Sequence, residues 1–336
     1  MASEHHDPDP LATALTSRLG LRFPVCQAGM GWIARKELVA AVSSAGGLGV
    51  IGAEGHTADE LRDAIRYVRA HTDAPFGVDI LFGAVKSERS AGVDAYEGHV
   101  ARQIEVVLEE RVPVLISGLG SPEAVVADAH ARGITVMSVI GNVRHARRLA
   151  AAGVDFLIAQ GHEAGGHTGR IGTFTLVPQV VDAVDVPVLA AGGIGDGRGL
   201  VAARALGACG IWMGTRFVAS AEAHAHPAYK DRVVAIDEEG TVITRAHSGK
   251  PCRLIRNRFT DRWDARAQDI KPFPAQFVEV GREAARHARF DGAVEDGGLP
   301  AGQVSGMIRA VEPAGDIVRR VVQEARTVLA GFGAQR

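Results

Sequence analysis

The chain has 336 residues, 46% of them hydrophobic and 23% charged, which excludes a disordered chain and allows one large core. With 37 basic and 39 acidic residues the formal charge is −2, so no overall field draws the chain to nucleic acid or an anionic membrane. No apolar run reaches the ~18 to 20 residues a membrane helix needs, and three widely spaced cysteines, Cys26, Cys209 and Cys252, suit neither a disulfide framework nor a CxxC metal site.

In chain order, residues 1–12 read as a flexible N-terminus without a signal-peptide core, consistent with a cytoplasmic protein. From Pro24 one theme repeats: a short apolar run, a glycine-bearing turn, then an alanine-rich stretch with helical spacing. Strands are expected at Val25–Gly29, Gly49–Gly52, Phe76–Ile80, Val114–Ser117, Thr135–Val139, Phe156–Gln160, Val188–Ala191 and Ile211–Met213. Between them lie helical stretches at Glu37–Ala45, Ala58–Ala70, Tyr96–Glu110, Pro122–Ala131, Val143–Ala152, Leu176–Ala183 and Arg198–Leu206, long enough for parallel crossovers. The rhythm then fails over Ala219–Glu312 and resumes in an amphipathic helix at Ala314–Ala330. Eight βα repeats predict an α/β (β/α)₈ TIM barrel built from 13–218 and 313–336, with 219–312 inserted after strand eight as a substrate or lid region. A doubly wound open sheet is the competing architecture, and the absence of GxGxxG after the first strand counts against it.

Two turns carry chemistry. Gly192-Gly193-Ile194-Gly195 follows strand seven and Met213-Gly214-Thr215 follows strand eight, the two positions where barrels of this type hold a phosphate. Glycines let backbone N–H groups converge on phosphoryl oxygens, and Thr215 adds a hydroxyl. One such turn alone would read as a tight connection. After strand six comes Gln160-Gly161-His162-Glu163-Ala164-Gly165-Gly166-His167, in which a histidine able to exchange protons near neutral pH stands among glycines that let a planar ring approach the backbone.

This motif pair, EAGGHxG with AAGGIxDG, resembles the nitronate monooxygenase family, formerly called 2-nitropropane dioxygenases, and its FMN-dependent enoyl-reductase relatives. The likeness extends from Pro24 to Gly331 and includes Gln27-Ala28-Gly29-Met30-Gly31. It implies FMN as cofactor, His167 as the catalytic histidine, and Gly192, Gly193, Gly214 and Thr215 as the phosphate cradle. It also implies that Ala28, Gly29 and Met30 lie against the flavin ring, with Gln160, Gly165, Gly166 and, at the end of strand five, Ser138 completing the contacts. Two positions depart from the pattern: Gly29 where many members have proline, and Asp79 where many have asparagine beside the flavin. An anionic Asp79 there would disfavour an anionic reduced ring unless protonated or turned away.

Other residues weigh less. His162 and His167 are five apart in a loop, which does not make a metal pair, so no metal is expected. Glu163 reads as structural rather than as a second acid, Cys26 as a core residue, and His224 and His226 as a solvated loop. Lys250, Arg253, Arg256 and Arg258 suit either an anionic group or a solvated basic loop. The resemblance implies oxidation of alkyl nitronates by dioxygen to a carbonyl compound and nitrite; the alternative is an NAD(P)H-dependent reductase acting on an enoyl thioester or quinone. The partner expected is a small-molecule substrate, on a monomer or homodimer.

Overall fold

A computed structural model describes residues 9–82 and 91–333. Eight parallel strands form one sheet: β1 (Val25–Gln27), β2 (Gly49–Gly52), β3 (Phe76–Phe82), β4 (Val114–Gly120), β5 (Thr135–Ile140), β6 (Phe156–Gln160), β7 (Val188–Ala191) and β8 (Gly210–Met213). β1 pairs with β8 through Val25 and Ile211. The ring closes between β1 and β2, where Leu48 N donates to Val25 O at 2.9 Å and Gln27 N to Leu48 O at 2.9 Å. The chain is therefore a (β/α)₈ barrel, as the repeat predicts.

Both faces of each strand are covered, so the strands are apolar runs without alternation. Cys26, Val50, Ile116, Met137, Phe156 and Leu189 point inward and fill the lumen. Val25, Ile51, Val78, Leu115, Val136 and Leu157 pack outward under the helices. The lower end is plugged by a short helix, Ala14–Leu19, capped by Thr13 and ended by Gly20 in the left-handed conformation, with Leu15 fully buried among the lumen residues. The N-terminus differs here from the flexible stretch expected over 1–12. Residues 1–8 lie outside the described residues, but Leu11 is 1% exposed and Asp9 pairs with Arg326 at 2.9 Å, because the apolar underside of the barrel needs a cover.

Several element boundaries also depart from the expected ones. β3 and β4 run two and three residues further, past a register shift between Ile80 and Leu81. The expected helix at Pro122–Ala131 is a 3₁₀ turn, Glu123–Val125, leading into only Val126–His130. The helix expected at Leu176–Ala183 begins at Thr173 because the Glu163 carboxylate accepts both the Thr173 N–H and its hydroxyl at 3.0 Å, covering an orphan donor of the first turn.

Between β8 and the closing helix Ala314–Gly333 the chain forms the helices Pro227–Ala235, Arg258–Asp264 and Arg282–Phe290 and an antiparallel strand pair, Thr241–Thr244 with Cys252–Ile255. This segment is tied to the barrel at its base, where buried Arg216 and Arg320 both bond Glu312. It is tied again at its tip, where Cys252 pairs with His167 and Arg253 donates to the His162 carbonyl at 3.1 and 3.2 Å. The segment thus arches over the C-terminal mouth of the barrel.

Candidate active site

The cavity under this arch opens at the strand C-termini. The end of β1 is set by buried Gln27, whose amide accepts Val50 N–H at 3.0 Å and donates to the Val50 carbonyl at 3.1 Å and to the Ala28 carbonyl. Ala28, Gly29 and Met30 leave the barrel there as one wall of the cavity. Every site residue expected from the sequence lines this cavity except Ser138. Ser138 is fully buried but lies on the same side of β5 as Val136 and Ile140, facing the helices, while its neighbour Val139 faces the cavity. A shift of one residue along a strand changes the face, and the expectation for Ser138 is corrected on that ground.

The two departures from the family pattern touch each other. A Cβ placed on Gly29 would lie 2.2 Å from Asp79 Cβ, so the bare backbone at 29 is what admits the carboxyl at 79. Asp79 is 7% exposed and its Oδ1 has no hydrogen-bond partner. Burial holds its pKa well above the carboxylate range, opposed by a hydrogen bond from the Gly118 backbone. Burial thus favours the protonated carboxyl at Asp79, which works against the charge conflict expected beside a reduced flavin.

The two glycine turns bring bare backbone to the cavity. Gly192 and Gly193 lie at φ 96° and 73°, a region open to glycine. Gly214 has only Ala28 Cβ and Met30 Sδ within 4 Å of an added Cβ, at 3.6 and 3.7 Å. Thr215 Oγ1 accepts Gly302 N–H at 2.9 Å, which leaves its own proton to donate to an anion. These features fit the phosphate of FMN: close backbone, a free hydroxyl proton, and no side chain in the way.

His167 is held from two sides. Its backbone pairs with Cys252 and its carbonyl accepts from Gln160, while its Nε2 meets Ser248 Oγ at 2.7 Å. Burial, followed by the positive charges of Lys250 and Arg289, lowers its pKa to about 4. The ring is a neutral imidazole at pH 7. His247 stands 6.2 Å away, centroid to centroid, and burial pushes it well below its usual value too.

The inserted segment supplies what the sequence reading did not single out. Tyr229, His247, Arg282 and Arg289 all line the cavity. Arg289 is 8% exposed and makes only long bonds, to the Gly298 and Gly31 carbonyls at 3.4 and 3.3 Å. Among the described residues it forms no ion pair; burial lowers its pKa, with Tyr229, Cys252 and Glu54 at longer range opposing. A spacing signal existed in hindsight: Arg282, Ala285 and Arg289 recur at helical intervals and share the cavity face. Of the basic residues singled out, Arg253 is structural, Arg258 pairs with Asp296 at 3.2 Å, and Lys250 lies over the Phe273 ring at 4.3 Å, so they form no common anion site. Glu163 caps a helix and His162 bonds the Gly169 carbonyl at 3.0 Å, both structural roles. Among the described residues no group of side chains could hold a metal ion, and no helix is long and apolar enough to cross a membrane.

Comparison with known proteins agrees with this geometry. The chain is 34% identical to a Mycobacterium tuberculosis protein named (3aS,4S,5R,7aS)-5-hydroxy-7a-methyl-1-oxo-octahydro-1H-indene-4-carboxyl-CoA dehydrogenase, over 95% of this chain and 97% of that one. It is also 34% identical to a probable nitronate monooxygenase of Staphylococcus saprophyticus, over 95% and 99% of the two chains. Among solved structures, FabK from Thermotoga maritima superposes with a TM-score of 0.87 at 36% identity, covering 97% of this chain and 99% of that one. Nitroalkane oxidase from Streptomyces ansochromogenes superposes with a TM-score of 0.81 at 33% identity, covering 94% and 100%. The family model for nitronate monooxygenase matches residues 12–324, and the chain, a closed barrel, belongs to that family of oxidoreductases.

Proposed function

We propose that the protein oxidises alkyl nitronates by dioxygen, giving a carbonyl compound and nitrite, with FMN held by Gly192, Gly193, Gly214 and Thr215. The observation that carries this reading is the pairing, in one cavity, of a neutral imidazole with a buried guanidinium that has no anion of its own. A buried charge without a partner costs several kcal/mol, so the cavity gains when an anion arrives. A nitronate is such an anion.

Bound FMN supplies the acceptance of electrons from substrate and the reaction with dioxygen. The chain does the rest. Arg289 draws the nitronate oxygens inward, and the low dielectric of the closed cavity strengthens that attraction. His167, kept neutral, donates a hydrogen bond to the nitronate oxygens or accepts the α-proton of a neutral nitroalkane at Nδ1, the ring nitrogen that Ser248 leaves free. Burial disfavours the Asp79 carboxylate and so works to keep negative charge away from the flavin wall. Segment 219–312 serves as the lid that excludes water, since its strand Cys252–Ile255 both covers the cavity and fixes His167.

The test is turnover of propionate 3-nitronate by the flavin-loaded protein, read as oxygen uptake and nitrite release; no turnover with flavin bound sinks the proposal. A second reading, an NAD(P)H-dependent reductase of an enoyl thioester or quinone, draws support from the likeness to FabK and to the carboxyl-CoA dehydrogenase. Anaerobic bleaching of the flavin by NADH or NADPH, faster than by nitronate, would favour it.

A further inference from the structure

His167 turns one ring nitrogen to the lid, and the lid decides which of the two carries the proton. Nε2 stands 2.7 Å from Ser248 Oγ, and Ser248 is fully buried. The turn that carries this hydroxyl is braced from several sides. Gly249 N–H donates to the Arg245 carbonyl at 2.8 Å, and Arg245 Nε donates to the Gly249 carbonyl at 2.9 Å. Gly249 reaches φ 82° to close the turn, and Gln276 Nε2 donates to the Ala246 carbonyl at 2.8 Å. The oxygen is therefore fixed, and only its proton can rotate.

A hydroxyl has one proton to give and two lone pairs to offer. Lys250 N–H takes one lone pair at 3.3 Å. If Nε2 carried the imidazole proton it would take the other, and the hydroxyl proton would be stranded. Among the described residues His167 Nε2 is the one acceptor within reach of Ser248 Oγ. A buried donor left without an acceptor loses its hydration and gains nothing in return. When the hydroxyl donates to Nε2 instead, every group is satisfied and the imidazole proton sits on Nδ1.

We infer that Ser248 is a positioning residue that fixes resting His167 as the Nδ1–H tautomer, so that the ring meets its substrate as a hydrogen-bond donor and selects preformed nitronate anions over neutral nitroalkanes. The substrate half of this inference rests on the nitronate reading. A neutral nitroalkane must lose its α-proton before its electrons can pass to an acceptor, and a nitrogen that already bears a proton cannot take it. A nitronate has lost that proton already, and its oxygens accept from Nδ1–H directly. The surroundings favour the same choice: burial, then the charges of Lys250 and Arg289, keep the ring neutral, and those two cations suit an anion.

Two measurements on the flavin-loaded protein test this. With nitrogen-15-labelled histidine, nitrogen–proton correlation spectra at neutral pH read the tautomer of each ring, and the signal lost in His167→Asn belongs to His167. Nδ1 is expected to be protonated, to give way to a mixture in Ser248→Ala, and to stay protonated in Ser248→Thr, which keeps the hydroxyl. A proton on Nε2 in the unaltered protein overturns the inference, whether or not any nitronate is consumed. The second measurement compares propionate 3-nitronate with 3-nitropropionate, whose nitro carbon still holds its proton. The nitronate is expected to be favoured in kcat/KM by ~10²-fold or more, the contribution that a positioned base would otherwise make to the neutral form. In Ser248→Ala that ratio is expected to fall about tenfold, through a higher KM for nitronate, as one charge-assisted hydrogen bond weakens. Equal use of both forms by the unaltered protein overturns the selectivity, and no turnover of either counts against nitronate oxidation while the spectra still decide the role of Ser248.

Discussion

The lower barrel and its upper rim are made from the same eight strands and obey opposite rules. Below, Cys26, Ile116, Met137, Phe156 and Leu189 close the lumen without a charged group, and a helix seals the end. At the rim, Asp79 Oδ1 is without a partner, Arg289 lacks a carboxylate, and His167 is held far from its usual proton affinity. The difference teaches where stability and chemistry are kept apart: packing is satisfied in one half, and unsatisfied polar groups await a ligand in the other.

The strongest way to sharpen this comparison is His167→Asn. Removing a general acid–base group costs ~10² to 10⁴-fold in turnover, and the change is expected to leave thermal unfolding nearly unmoved. Phe156→Ala should do the reverse: about 3 to 5 kcal/mol of stability lost in urea unfolding, with the rate of the folded fraction unchanged. An equal loss of activity in the folded fraction would break the division.

The third prediction concerns pH. His167 titrates near 6.5 when unfolded and about 4 when folded, so the unfolded chain takes up the proton first as pH falls. Its contribution is fully present above pH 6.5 and is lost progressively down to about pH 4. The loss attributable to this group is about 3 kcal/mol, measured as the difference in urea midpoint slope-corrected stability between pH 7 and pH 4.5, and it should shrink in His167→Asn.

The smallest effect is expected for Arg289→Met. Charge-assisted bonds contribute ~1.5 to 3 kcal/mol, so KM for nitronate should rise about 10 to 100-fold while kcat changes less. Stability is expected to hold or increase, because an unpaired buried charge is replaced by an apolar chain of similar length. A clear fall in melting temperature would show that Arg289 serves the fold rather than the substrate.

The architecture and most of the site were legible from residues alone. Gly192, Gly193, Gly214 and Thr215 directly follow barrel strands and His167 stands in the loop after β6, so counting strands was enough to gather them at one mouth. Ser138 was misread because one residue of register decides whether a side chain meets the lumen or the helices. The inserted segment was read least, since its helices and short antiparallel pair share no period that announces what they cover.

By itself the sequence determined the repeating units, the glycine turns after strands seven and eight, and the histidine in the loop after strand six, all of which depend on neighbours along the chain. Only the tertiary structure decided that Gly29 makes room for Asp79, that Ser248 meets His167 and that Arg289 stands unpaired beside it. Those pairs lie 50, 81 and 122 positions apart, and local periodicity carries no information at such separations. The physical consequence lies in the charges: whether Asp79 is neutral or Arg289 unanswered is a matter of burial and partners, which exist only once the arch has closed over the barrel.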